Sequence, residues 1–330
     1  MLGRRGFIRL GLMAGLIGIA GCGRSSARPI LRAAPEDLPK ELLKTLPNPW
    51  QFKPLVAQSL LSPSQFIVKN EADLLAVGDG WLTEFPKDSL QSIKAEKLFS
   101  GLDTKAQKFL ESFGPELSSK AFPIGISPWV MLFRNGKDWL YEAKQGWDVL
   151  LDPELTGQVV FPESARFVIS LADRIEGADV LRRLRSQAHA FDDRNGLNWL
   201  LAGKARVAIL PLYRCFRSLI KDPRLNIALP QAGAPLHWTF LVRPRTSRQS
   251  FPTSWLEEAW AMPQMAALLS RGWMSPLPSS NLIMANNVIP DSYKPILLPS
   301  DSFWNGCWSF SPLTNSEKAR VENLWSESIP

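Results

Sequence analysis

The chain has 330 residues and a formal net charge of +7, from 38 Lys and Arg against 31 Asp and Glu. Three of the arginines fall in the first 21 residues, which hold no acid, so the rest of the chain carries +4, spread without a dense basic block; a nucleic-acid partner is not expected. His189 and His237 are the two histidines, no His/Cys/Asp cluster has metal-ligand spacing, and neither a G-x-S-x-G elbow nor a phosphate-cradling glycine loop occurs. No metal, cofactor or catalytic constellation is expected, and the chain does not read as an enzyme.

The N-terminus opens on Arg4, Arg5 and Arg9, followed by an uncharged, mostly apolar run over residues 10–21. That run is shorter than the about 20 apolar residues that cross a bilayer. A basic start, a short apolar stretch and small residues before a cut read as a signal peptide over 1–21. Arg4-Arg5-Gly6-Phe7-Ile8-Arg9 looks like a twin-arginine export signal, with Gly3 where Ser or Thr is usual. Ile19-Ala20-Gly21-Cys22 resembles a bacterial lipobox, which makes Cys22 the lipidation site and residues 22–28 a lipidated tether. An ordinary signal peptide with a chance cysteine is the other reading, and the export route, twin-arginine or general secretory, stays open.

Beyond the tether, short apolar strands alternate with amphipathic helices, an α/β pattern. Residues 30–34 predict a strand. A helix follows, starting at Pro35 or Pro39, with Leu38, Leu42, Leu43 and Leu46 as its buried stripe. Residues 50–56 predict a second strand. Residues 73–82 predict a strand that runs into Gly78-Asp79-Gly80 and then Trp81; glycines there allow close approach of backbone or ligand. Residues 122–133 read as a strand-like unit broken at Ser127-Pro128-Trp129. A short helix, a turn and a buried strand follow over 146–161, then a helix starting near Glu163. Gly203 closes another helix, and strands are predicted over 205–210, 225–229 and 238–242. Residues 254–269 predict a helix interrupted at Pro263, and 304–310 an aromatic-rich late segment. Cys215 and Cys307 could pair in an oxidising compartment or stand as buried free thiols. Thirteen tryptophans against three tyrosines predict indoles mainly in the core, with a few at a ligand site. His189, among small and polar residues, reads as a surface histidine.

The order of these segments resembles the bacterial extracellular solute-binding proteins (family 1 type) that serve ABC importers, in the branch related to spermidine/putrescine binders. The clearest likeness is the W-x-x-L-x-x-P-x-x-x-G-x-V run from Trp147 to Val159 with the strand and helix after it. Residues 73–82, 201–216 with 230–233, 272–276 with Asn281, and the closing stretch 309–325 match in order. The likeness covers most of 70–330 and is weak over 30–70. It implies a two-lobe periplasmic-binding-protein-like fold with a hinge and an interlobe ligand cleft. One lobe would hold 29–128 plus 241–300 and the other 129–240 plus 301–330.

Carried over residue by residue, the family's site is only partly kept. The acids expected after the Phe161-Pro162 turn fall near Ser164 and Phe167, with Glu163 close by. The acid expected past Gly233 falls at Thr239, beside His237 and Trp238, and an expected aromatic falls at Pro211. Trp81 and Trp273 keep aromatics. Tyr141, Tyr213 and Tyr293 stand singly, which counts against the adjacent-tyrosine iron site of some relatives. The pocket candidates are Asp79, Trp81, Trp129, Glu163, His237, Trp238 and Trp273. The resemblance implies a monomeric, lipid-anchored receptor on the periplasmic face of a bacterial membrane. It would deliver a small molecule, polyamine-like by that likeness, to an ABC permease by closing around it. The alternative is a binding-fold lipoprotein acting as a periplasmic sensor or assembly partner without a transport role.

Overall fold

The computed structural model describes residues 28–55, 71–135 and 137–330. The expected signal peptide, the expected lipidation site Cys22 and all but the last residue of the expected tether lie outside the described residues. Ten strands are described: β1 Ile30–Ala33, β2 Gln51–Pro54, β3 Leu74–Gly78, β4 Leu90–Gln91, β5 Ala121–Arg134, β6 Val159–Phe161, β7 Ala188–Phe191, β8 Val207–Pro211, β9 Leu225–Ala228 and β10 Leu236–Pro244. Their order is β2-β1-β3-β10-β5-β8-β6-β7, with β4 added on β10 and β9 on β5. β1 runs parallel to β2 and β3, and β6 parallel to β7 and β8, while β10 and β5 are antiparallel to their neighbours.

β5 organises the molecule. The strand is 14 residues long and every residue but Arg134 is buried, the near-continuous apolar run of a strand covered on both faces. Its first part pairs with β10 up to Pro128 opposite Leu236, and its second part pairs with β8 from Trp129 opposite Pro211. The expected break at Ser127-Pro128-Trp129 is therefore a change of partner within one strand. Proline has no N–H to give a ladder, and Pro128 sits where one ladder ends and the next begins. Trp129 N–H donates to the Pro235 carbonyl at 2.9 Å, at the same junction. Two half-sheets thus share β5: β1–β4 with β10 on one side, and β6–β9 on the other.

Local chemistry sets the helix ends. Asp103 accepts from Ala106 N–H at 2.6 Å to start Thr104–Glu111, and Ser164 accepts from Phe167 N–H at 3.3 Å to start Ala165–Ala172. Thr314 and Glu317 form a reciprocal capping box at the head of Asn315–Glu327. The first helix is Lys40–Lys44, beginning after Pro39. The stretch read as an interrupted helix is two helices, Thr253–Ala259 and Gln264–Leu269, with Pro263 immediately before the second. Trp255 is buried there and donates Nε1–H to the Leu42 carbonyl at 2.9 Å. Gly233 (φ +93°) is packed so closely on Gly306 that a Cβ would stand 2.1 Å from its carbonyl carbon. Cys215 and Cys307 are buried free thiols, not a disulfide; burial pushes them up to about 12 and about 11. No helix among the described residues is long and apolar enough to cross a membrane.

Candidate functional site

A cavity of about 590 Å³ opens at the junction of the two half-sheets. One wall is the end of β3. Gly78 leads directly into a 3₁₀ helix, Asp79–Glu84, which presents Asp79, Gly80, Trp81, Thr83 and Glu84 to the cavity. The opposite wall is built from the turn after β6 (Pro162 to Phe167) and the end of β8 (Pro211 to Arg214). Phe310, Pro312, Leu313 and Lys318, from the closing segment, complete the rim. Trp129, at the partner change in β5, forms part of the lining and sets its ring edge-on to Phe167 at 4.8 Å. A smaller adjoining cavity of about 190 Å³ shares Gly78, Trp81, Glu163, Asp193, Arg214 and His237, and adds Glu36, Asp37 and Arg194.

Asp79 and His237 are brought together by the β3–β10 ladder, in which Gly78 lies opposite Thr239. A Cβ on Gly78 would stand 3.1 Å from His237 Cε1, so the glycine makes room for the imidazole. Asp79 Oδ1 accepts from Trp238 N–H at 3.4 Å and lies 3.8 Å from His237 Nδ1. Burial raises Asp79 to about 7, against the backbone donors and the Arg166 charge that pull it down. Burial and the nearby Arg214 charge push His237 down to about 4. At neutral pH the imidazole is therefore uncharged, and its contact with Asp79 is not a salt bridge. Tyr213 packs its ring on His237, with its hydroxyl 3.5 Å from Nε2, and burial raises that phenol well above its ordinary range.

The arginines divide by pairing. Arg214 contacts Asp193 at 2.7 Å and Glu36 at 4.0 Å. Arg166 donates to the Ser311 carbonyl at 2.6 Å and lies over the Phe310 ring, 5.1 Å from its centroid. No carboxylate among the described residues lies within ion-pair distance of Arg166.

Of the seven sequence candidates, Asp79, Trp81, Trp129, Glu163 and His237 line the cavity. Trp238 and Trp273 do not. Neighbouring strand residues point to opposite faces, so with His237 facing the cavity, Trp238 faces the core; it stacks on Phe109 at 5.1 Å and donates to Ser309 Oγ at 2.9 Å. Trp273 lies against Gly125, whose Cβ would stand 2.3 Å from its ring, and is separated from His237 by Tyr213, which it meets edge-on at 5.4 Å. Arg166, Asp193, Arg214, Phe167 and Phe310 line the cavity without a site signal of their own in the sequence. Arg166 and Phe167 stand within four residues of Glu163, in the turn where the resemblance implies acids. Phe310 comes from a tail whose return to the site has no local signal. His189 is exposed on β7. No group of three or more His, Cys, Asp or Glu among the described residues could hold a metal ion.

No family model and no curated protein matches the sequence. Solved structures do match the fold. The spermidine/putrescine ABC transporter substrate-binding protein PotD from Streptococcus pneumoniae aligns with a TM-score of 0.68 at 12% identity, over 91% of this chain and 98% of that one. The TpPotD lipoprotein of Treponema pallidum aligns with a TM-score of 0.67 at 12% identity, over 91% and 99%. The apo ferric ion-binding protein A of Pasteurella haemolytica aligns with a TM-score of 0.57 at 14% identity, over 91% and 94%. The chain therefore has the mixed α/β periplasmic-binding-protein fold of ABC-transporter substrate-binding proteins. A fold shared by proteins named for a polyamine and for ferric ion does not by itself name a ligand.

Proposed function

We propose that this chain is the solute-binding receptor of an ABC importer, held outside the cytoplasm by a lipid on Cys22. A small organic molecule binds between the 3₁₀ helix Asp79–Glu84 on one side and the Pro162–Phe167 and Pro211–Arg214 segments on the other. The lobes are 29–128 plus 241–300 and 129–240 plus 301–330, and they hinge about β5, β10 and the segment near residue 300. The observation that carries this reading is the cavity itself. Its volume suits a small organic ligand, both half-sheets supply its walls, and Trp81, Trp129, Phe113, Phe167 and Phe310 give it an apolar lining with a few charged groups. Closure of two such walls expels water and completes the contacts. The chemistry is binding, not bond making.

Native mass spectrometry of freshly purified protein, combined with small-angle scattering, tests the reading. A co-purified small molecule, with expansion of the protein on its removal, is the expected result. Ligand-free protein with no change in dimensions under any solute tried points instead to a sensor or assembly role. Calorimetry with putrescine and spermidine decides the polyamine version; absence of heat from both, in folded protein, removes it.

A further inference from the structure

Among the charged side chains lining the cavity, Glu84, Glu163 and Lys318 are exposed and Asp193 pairs with Arg214, which leaves Asp79 and Arg166 as the more covered charges on facing walls. Asp79 belongs to the 3₁₀ helix after β3, and its side chain is only 11% exposed. Its nearest basic group is His237, which is neutral at pH 7. Across the cavity, Arg166 occupies the first turn of the helix Ala165–Ala172, whose N-terminal end adds partial positive charge to that wall. Glu317, the acid on the tail nearest in effect to Arg166, is engaged by Thr314 in the capping box. Arg214, by contrast, is spent on Asp193 and Glu36. One carboxyl group and one guanidinium, within electrostatic reach of each other but in ion-pair contact with no other charged group among the described residues, therefore face the same cavity. A buried charge is costly unless it is paired, and a guanidinium pairs a carboxylate or a similar planar anion with two parallel hydrogen bonds.

We propose that the ligand is a zwitterion whose anionic group pairs with Arg166 and whose cationic group pairs with Asp79, its apolar body lying against Trp81, Trp129 and Phe167. This specificity assignment rests on the receptor reading above. It disfavours a short diamine: with one ammonium on Asp79, the other falls near the Arg166 charge, and a like-charge contact costs affinity. It disfavours a plain dicarboxylate by the same argument at Asp79.

The test is calorimetry on the folded chain with three matched series, α,ω-amino acids, diamines and dicarboxylates of four to six carbons, beginning with 4-aminobutyrate, putrescine and succinate. The amino acids are expected to bind at least about tenfold tighter than either other series. Arg166→Gln should weaken them by about tenfold or more, and Arg166→Glu should shift the preference to the diamines. Circular dichroism of both variants separates lost binding from lost folding. Tighter binding of a diamine or dicarboxylate by the parent protein overturns the zwitterion and leaves the receptor standing. So does an unchanged amino-acid affinity in folded Arg166→Gln. Absence of heat from all three series overturns it too, and native mass spectrometry then decides whether the receptor reading falls with it.

Discussion

Arg214, on the helix that follows β8, reaches Glu36, in the turn that follows β1, at 4.0 Å. The contact joins the two half-sheets beside the smaller cavity. Half of the Glu36 side chain stays in solvent while Arg214 is mostly covered, so the pair is a modest one, worth below about 1 kcal/mol. Glu36→Gln is therefore expected to weaken ligand binding by no more than about fivefold and to make the unliganded protein measurably less compact in small-angle scattering. Identical scattering curves for parent and variant would remove this contact as a latch.

Asp79 gives the stability of the protein a specific pH dependence. Its unfolded carboxyl releases its proton near 3.8, whereas burial makes the folded one hold it up to about 7, against the pull of backbone donors and of the Arg166 charge. Stability is thus fully present below 3.8 and lost as pH rises toward 7; Asp37 behaves alike. His237 works in the opposite direction, losing stability as pH falls from 6.5 toward 4. Asp79→Asn keeps an acceptor for Trp238 N–H and removes the buried charge. It should be more stable than the parent by about 2 kcal/mol at pH 8, the advantage shrinking to nothing near pH 4. Urea unfolding across that range measures it, and an equal or lower stability at pH 8 contradicts it.

Trp81 and Trp238 should separate binding from folding. Trp238→Ala removes a fully buried ring with its Phe109 stack and its bond to Ser309, at a cost of about 3–5 kcal/mol. Trp81→Ala removes a cavity wall and should cost at least about tenfold in affinity with a smaller loss of stability. Thermal melts beside calorimetry on the two variants give the comparison; the reverse ranking would put the ligand on the wrong face of β10.

Cys22→Ser should release the protein from membranes into the soluble extract. Cell fractionation reads this directly, and a variant that stays with the membrane fraction removes the lipid anchor.

Much of the fold was legible because burial leaves a periodic mark. The strands near residues 30, 74, 207 and 236 and the helix stop at Gly203 follow from apolar runs and local turn chemistry. The unbroken course of β5 was not legible, because Pro128 reads locally as a break and only the partner on each side shows why it is tolerated. In the site, Asp79 and Trp81 were accessible through the Gly78-Asp79-Gly80 turn. Trp238 lies on the core face of β10, which the near-continuous apolar run of that strand does not reveal without its pairing. Arg166 and Phe310 depend on how the tail folds back, a relationship between residues 145 positions apart for Arg166 and Ser311 that no local pattern encodes.

The insertion of β10 between β3 and β5 has a consequence for biogenesis. β3 finishes at Gly78, yet the strand that covers its edge begins only at Leu236. During synthesis, β3 must wait with an unpaired edge until the whole β6–β9 half has been made. An unpaired apolar edge is a template for association with other chains. β10 ends at Pro244 of the 330 residues, so the chain must be made through that point before the first half-sheet can close. A chaperone that shields nascent chains should be needed most by this half.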